Sequence, residues 1–316
     1  MQRFGQFAAG CWPQSDTGLG RDASHVTYFR RHEACSRLQR TRISPRAMNE
    51  DRDFRAYLAL FEPHGTHEDY LRVHYHRYVD TYRRVAGGKA PLREGAHVLD
   101  IGAHWLHQSL LYARSGFQVT AFDMPHILGM QEVQSLAQAY AIALLPNADL
   151  EHPEALHSLP ENSVDIVLFT EVIEHLTFNP IAMWREIYRV LKPGGRIVVT
   201  TPNYYALRRL VPHLWRFVRG YGGGVATNRI LEQRTFVHHW KEYSLRELRH
   251  YFTRLSPDFA CRVSEHVEHH HKIGHSSWRD RIVLPFEKCA PFLRPQLYLE
   301  IELHSKQSGI AIEPHW

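Results

Sequence analysis

From His97 onward, short apolar runs alternate with stretches in which apolar residues recur every three to four positions. Runs at 97–102, 117–123, about 142–146, 164–170 and 195–201 are nearly continuous, as expected of strands buried on both faces of a parallel sheet. Between the last two, Ile181, Trp184, Ile187 and Leu191 form one stripe, which predicts a helix with Pro180 near its first turn and Pro193-Gly194-Gly195 as its stop. Strands alternating with helices imply a doubly wound α/β sheet covered on both faces. A helix at about 244–254 and a strand at about 259–267 continue the pattern. The last strand, 296–304, alternates with Leu297, Leu299, Ile301 and Leu303 on one face and Tyr298, Glu300, Glu302 and His304 on the other. A period of two predicts an antiparallel strand with one wetter face, late in a mostly parallel sheet.

The flanking segments read differently. Residues 1–47 show no sustained period and are expected to be a tail not needed for function, or a stretch upstream of a translation start at Met48. Residues 48–94 are expected to form a helical cover, because Tyr57, Leu58, Leu60 and Phe61, then Leu71, Tyr75, Tyr78, Val79 and Tyr82, recur at helical spacing. The core sheet is assigned to 95–203 and its completion, with a substrate pocket, to 237–316. Between them, 204–236 combines an apolar helical piece with Gly222-Gly223-Gly224, the pattern of an inserted cap or lid.

Composition narrows the class. Hydrophobic content of 44% with 22% charged residues is ordinary for a globular chain. No apolar run is long enough to span a membrane, and Cys11, Cys35, Cys261 and Cys289 lack metal-ligand spacing, so a reduced, cytoplasmic protein is expected. The formal charge is +5, but residues 1–46 alone carry eight arginines against three acids, so the rest is balanced and no nucleic-acid partner is expected. Five histidines at 266, 269, 270, 271 and 275 with Glu265 and Glu268 suggest a metal cluster. Consecutive residues on a strand point to opposite faces, however, and a solvated loop with no metal is the expectation.

The chemistry lies at the strand ends. The run Val98 to Ile101 stops at Gly102, and Phe117 to Phe122 closes on Asp123. A glycine that lets backbone approach a ligand, followed one strand later by a carboxylate for ribose hydroxyls, outlines a nucleotide site. Later glycines of a dinucleotide loop are missing, replaced by His104 and by Trp105 or Leu106, which argues against a nicotinamide oxidoreductase.

Six blocks follow in order: Leu99-Asp100-Ile101-Gly102, Asp123, Asn147-Ala148-Asp149-Leu150, Ser163 to Val167, Glu171-Val172-Ile173-Glu174-His175-Leu176 and Leu191-Lys192-Pro193-Gly194-Gly195. The series resembles the class I S-adenosylmethionine-dependent methyltransferases, in particular the small-molecule branch with ubiquinone and sugar methyltransferases. The resemblance covers about residues 95–203 and implies a Rossmann-like sheet, S-adenosylmethionine as cofactor and a small-molecule or sugar-like acceptor, methylated at oxygen. It also implies roles. Asp100, Gly102 and Ala103 frame the turn beside the methionine part, Asp123 accepts from the ribose, and Met124 lies along the adenine. Asp149 and the Leu150 amide serve the adenine edge, and Glu171 lines the pocket near the sulfonium.

Methylation of a hydroxyl needs a proton acceptor, for which histidine is suited. His175 and His239 are the candidates; Tyr75, His76, Arg77 and Tyr78 of the helical cover could face the acceptor, although for the tyrosines an aromatic stripe packed on the sheet is the expectation. Asp165, ahead of a buried strand, is expected to hold backbone instead. The alternative reading is a methyltransferase fold that binds or scaffolds without catalysis, because the glycine loop is degenerate. A nucleic-acid methyltransferase is disfavoured, since Thr201-Pro202-Asn203-Tyr204 is not an Asn-Pro-Pro-Tyr base-flipping motif.

Overall fold

The computed structural model describes residues 50–65, 67–88, 91–220, 224–268 and 278–315. The tail at 1–47, Gly222-Gly223 and His269, His270, His271 and His275 lie outside the described residues.

Seven strands form one sheet: β1 His97–Ile101, β2 Gln118–Asp123, β3 Ala143–Pro146, β4 Val164–Thr170, β5 Leu191–Pro202, β6 Phe259–Val267 and β7 Gln296–Leu303, in the order β3-β2-β1-β4-β5-β7-β6. All neighbours from β3 to β5 pair in parallel, whereas β7 is antiparallel to both β5 and β6. β7 is thus the single reversed strand, inserted between two strands of the common direction. Order reverses at β1, so β1 and its neighbours β2 and β4 flank the crevice in which such sheets bind ligands.

The continuous apolar runs end up where burial demands them: Val98, Leu99, Ile101 and Ile166 to Phe169 are fully enclosed. One face packs on helices α1 Glu50–Leu58, α2 Glu68–Gly87, α3 Ser109–Arg114 and α5 Gln131–Tyr140. The other packs on α6 Ile181–Val190 and α9 Leu245–Leu255, with Trp184, Ile187 and Phe252 at its centre. α9 opens with a capping box: Ser244 accepts from the Glu247 amide at 3.2 Å, and the Glu247 carboxylate accepts from the Ser244 amide at 3.5 Å.

Two details depart from the sequence pattern. α6 stops at Val190 rather than at the Pro-Gly-Gly turn, because Leu191 already pairs with Val164 as the first residue of β5. The second face of β7 is dry at Tyr298 and Glu300, which are buried, and opens toward water at Glu302; Arg196 pairs with Glu300 at 2.8 Å, and the Tyr298 hydroxyl donates to Glu300 at 2.6 Å. At these two positions the polar period in β7 encodes a buried, satisfied network beneath α2. Asp165 accepts from the His97 amide at 2.9 Å and from Lys192 at 2.6 Å, tying β4 to β1 and β5 outside the crevice.

Candidate functional site

Beyond the carboxyl ends of β1, β2 and β4 lies a cavity of about 750 Å³. Asp100, Gly102, Ala103, Asp123, Met124, Asp149, Leu150, Glu171, His175 and His239, the residues singled out in the sequence, all line it.

The end beside β2 and β3 is assembled from chain segments that simply run off the sheet. Asp123 ends β2, and its two carboxylate oxygens accept from the amides of His104 at 2.7 Å and Met124 at 2.6 Å. Those bonds clamp the glycine loop onto β2 and leave each oxygen a second lone pair for a ligand hydroxyl. Burial nevertheless pushes its pKa up, since these amides only partly replace water. Asn147 shapes the following loop by donating to the Asp149 carbonyl and, at 3.0 Å, to the His152 carbonyl. The Asp149 carboxylate accepts from the His152 amide at 2.8 Å, so it closes a local turn while facing the cavity.

The glycine loop keeps its shape without its glycines. Gly102 has φ +78°, and a Cβ there would meet Val172 Cγ2 at 2.7 Å. His104 (φ 49°) and Leu106 (φ 61°) occupy the left-handed region as well. Leu106, not Trp105, therefore stands in the third glycine's place. Each such residue costs about 1–2 kcal/mol relative to its preferred conformation. That strain is held by packing: Leu106 is fully buried, and the Trp105 indole lies flat on the His67 ring with centroids 3.6 Å apart. Trp105 forms part of the wall and leaves the cavity open.

Above the loop, α2 supplies an aromatic and imidazole roof. His74, Tyr70, Tyr78 and Arg77 line the cavity, whereas Tyr75 is buried against Phe54 and Tyr57. Burial lowers the pKa of His74 to about 3, of His104 to about 4 and of His107 to about 3, so these three imidazoles stay neutral. Asp100, sealed beneath the loop and bonded by Ser109 at 2.6 Å, is pushed up to about 7 by burial.

The far end draws on three distant segments. Glu171, with φ 56°, follows β4 and takes Arg77 at 3.1 Å, the Thr200 hydroxyl at 3.0 Å and Gln296 at 3.2 Å. Burial alone would lower the Arg77 pKa, but Glu171, Tyr78, Tyr70 and Glu174 together hold it above the usual arginine value. Glu174 is wholly buried; its Oε2 accepts from Thr201 at 2.9 Å, and its Oε1 has no hydrogen bond and lies 4.0 Å from His175 Nε2. Burial and then the nearby Glu171 charge push its pKa to about 8. The Glu174 backbone carbonyl accepts from the Trp240 amide at 2.8 Å, which docks the 238–241 segment here. As a result the His175 and His239 rings meet edge to face at 4.8 Å.

The two imidazoles differ. His175 Nδ1 donates to the His238 carbonyl at 2.9 Å, which leaves Nε2 as the ring's lone pair. Burial lowers its pKa, while the His238 carbonyl and Glu171 partly restore it. His239 is driven further, to about 4, by burial and by the charges of His175, Arg209 and Arg229. Glu174, His175 and His239 also place one donor atom each within 4.8 Å of the others, a set that can hold a divalent ion. Glu174 has no role assigned from the sequence, where the Glu-His adjacency at 174–175 is its available signal.

The methyltransferase domain family model matches residues 70–256, more than half of the chain. Ubiquinone biosynthesis O-methyltransferases of Xanthomonas oryzae and Xanthomonas campestris are 33% identical over 110 residues, 34% of this chain and 44% of each relative. The match thus spans under half the length of those relatives. Among solved structures, the S-adenosylmethionine-dependent methyltransferase of Mesorhizobium loti superposes with a TM-score of 0.47 at 14% identity, over 73% of this chain and 97% of that one. Phosphoethanolamine N-methyltransferase 2 of Haemonchus contortus gives 0.47 at 15% identity, over 80% and 57%. On the family match, together with a crevice whose acids stand at the strand ends where the motifs put them, the chain belongs to the methyltransferase domain family, of the class I S-adenosylmethionine-dependent type.

Proposed function

We propose that this protein transfers a methyl group from S-adenosylmethionine to an oxygen of a small-molecule or sugar-like acceptor. The observation that carries the reading is one cavity with Asp123 and Asp149 at one end and His175 and His239 at the other. The sulfonium of the cofactor supplies an already activated methyl group, so the protein's tasks are alignment, exclusion of water and removal of one proton. Asp123 would accept the ribose hydroxyls, the Asp149 carboxylate and Leu150 amide would read the adenine edge, and Met124 would pack on its face. Gly102 and Ala103 would border the methionine part, with Asp100 beneath them.

His175 is the better base of the two imidazoles. Its tautomer is fixed by the His238 carbonyl, and its pKa is held nearer the working range than that of His239. Arg77, anchored by Glu171 on the roof, would orient the acceptor. The O-methyltransferase activity of the Xanthomonas relatives supports oxygen as the acceptor atom.

Calorimetry of the full chain with S-adenosylmethionine and S-adenosylhomocysteine tests the reading, with micromolar binding of both expected. No heat at millimolar ligand would instead leave a methyltransferase fold that scaffolds without catalysis. A second reading of the far end rests on the Glu174, His175 and His239 trio: a divalent ion there would bind the acceptor's oxygens in place of a base. Turnover lost on chelation and restored by one added ion favours the ion; turnover indifferent to chelation favours His175 as the base.

A further inference from the structure

Helix α7, Leu207–Val218, is built inside out. Leu210 (46% exposed), Leu214 (62%), Trp215 (58%), Phe217 (77%) and Val218 (70%) face solvent, while Arg208, Arg209, His213 and Arg216 are half-buried. Arg208 and Arg209 turn inward because the body offers them acids, Glu287 at 3.7 Å from Arg208 and Glu242 paired with Arg209, which leaves Arg216, Arg219, Arg229 and Arg234 to border the stripe. Leu210, Leu214, Phe217 and Val218 recur at i, i+4, i+7 and i+8, one continuous stripe. A stripe of this size left in water marks an interaction surface.

The charge around it says what covers it. Residues 204–240 carry six arginines and one acid, Glu232, a net of +5, whereas the remaining residues from 47 onward sum to −5. A second copy docking stripe to stripe would bring like charge against like, and residues 1–46 carry +5 as well. A large apolar stripe bordered by arginines, with a tryptophan and a phenylalanine among the most exposed side chains, fits the boundary between lipid headgroups and acyl chains. Arg219 reinforces the motif by stacking over the Trp215 ring at 4.5 Å. Among the described residues no helix is long and apolar enough to cross a membrane.

We propose that α7 docks this protein onto an anionic lipid bilayer, lying in the plane of the interface with Leu214, Trp215, Phe217 and Val218 in the acyl boundary and the flanking arginines at the phosphates. Nucleic acid fits less well, because exposed leucine and valine offer nothing to a phosphate backbone. The same 204–240 segment supplies Thr235, Phe236 and Val237 to the cavity wall, so docking would place the cavity beside the bilayer.

The test is co-sedimentation of the full chain with phosphatidylcholine vesicles and with mixed phosphatidylcholine and phosphatidylglycerol vesicles. Binding to the mixed vesicles and little to the neutral ones is expected. Leu214→Ser with Phe217→Ser, both at exposed positions, should keep the melting temperature and lower vesicle partition by about tenfold or more. Arg216→Gln and Arg219→Gln should each lower it about fivefold and flatten its salt dependence. The proposal is overturned if the protein stays with the supernatant in both mixtures, or if the double serine variant binds as well as the parent. It also fails if the apolar face instead mediates dimerisation in light scattering, or if single-stranded RNA strips the protein from vesicles at matched salt.

Discussion

The two ends of the cavity are made by different kinds of sequence. At the end beside β2 and β3, Asp123 closes β2 while Met124, Asp149 and Leu150 sit on short segments that leave β2 and β3, with Met124 bonded to Asp123 and Asp149 to His152, near neighbours in the chain. At the far end, Arg77 of α2, Glu171 and Glu174 after β4, and His239 ahead of α9 meet only because the sheet and its cover are complete. The first end can be formed by any chain with this strand order; the second depends on packing between segments far apart in sequence. Cofactor binding and acceptor chemistry should therefore be separable by substitution.

The largest effect belongs to the far end. His175→Ala is expected to lower kcat by about 100- to 10,000-fold, the range for loss of a positioned proton acceptor. Its affinity for S-adenosylhomocysteine should stay within about threefold. A fall in affinity as large as the fall in kcat would break the separation and make His175 part of the cofactor's own site. Asp123→Ala should do the reverse, weakening S-adenosylhomocysteine by about 2 kcal/mol, roughly 30-fold, through lost charge-assisted hydrogen bonds. Its kcat at saturating cofactor should change little. Unchanged affinity in calorimetry would mean that the carboxylate serves only the His104 and Met124 amides.

The same contrast explains how much of the molecule could be read from the chain. Parallel strands leave apolar runs that end on the functional residue, so Gly102, Asp123 and Glu171 were visible as strand ends, and the late reversed strand was visible in the period of Leu297 to Leu303. The backbone of the glycine loop was not visible. His104 and Leu106 read as obstacles, yet both adopt the left-handed conformation that glycine would supply, because Trp105 on His67 and the Asp123 carboxylate hold the turn from outside. Nor was the dryness of Glu174 or Glu300 visible, since a charged residue in a sequence carries no sign of whether a partner will be folded over it. The inverted α7 was legible as an apolar helical segment, but which of its faces met water depended on Glu242 and Glu287.

The smallest expected effect probes the strain in that loop through pH. His74, His104 and His107 are neutral in the folded protein down to about pH 3–4, whereas unfolded imidazoles bind protons near 6.5. Below that value the unfolded chain holds more protons, so stability falls as pH drops from about 6.5 toward 4, by up to ~1.4 kcal/mol per histidine per unit. Asp100, pushed up to about 7, acts in the opposite sense, since its folded form keeps a proton that the unfolded form loses between about pH 4 and 7. His239, lowered to about 4, adds to the first group and Glu174, raised to about 8, to the second; four imidazoles outweigh two carboxyls, and net acid lability is expected. His104→Gly removes one of the four imidazoles and relieves the left-handed backbone, but gives up the ring contacts with Trp105 and Tyr70. At pH 7.5 relief and lost contacts should nearly cancel, leaving urea midpoints alike. At pH 5 full linkage would favour the glycine variant by about 2 kcal/mol, and solvent screening at the partly buried His104 halves this to about 1 kcal/mol. A constant difference at both values would show that His104 is already exposed to protons in the folded state, and that the roof over the glycine loop is not the dry lid its packing describes.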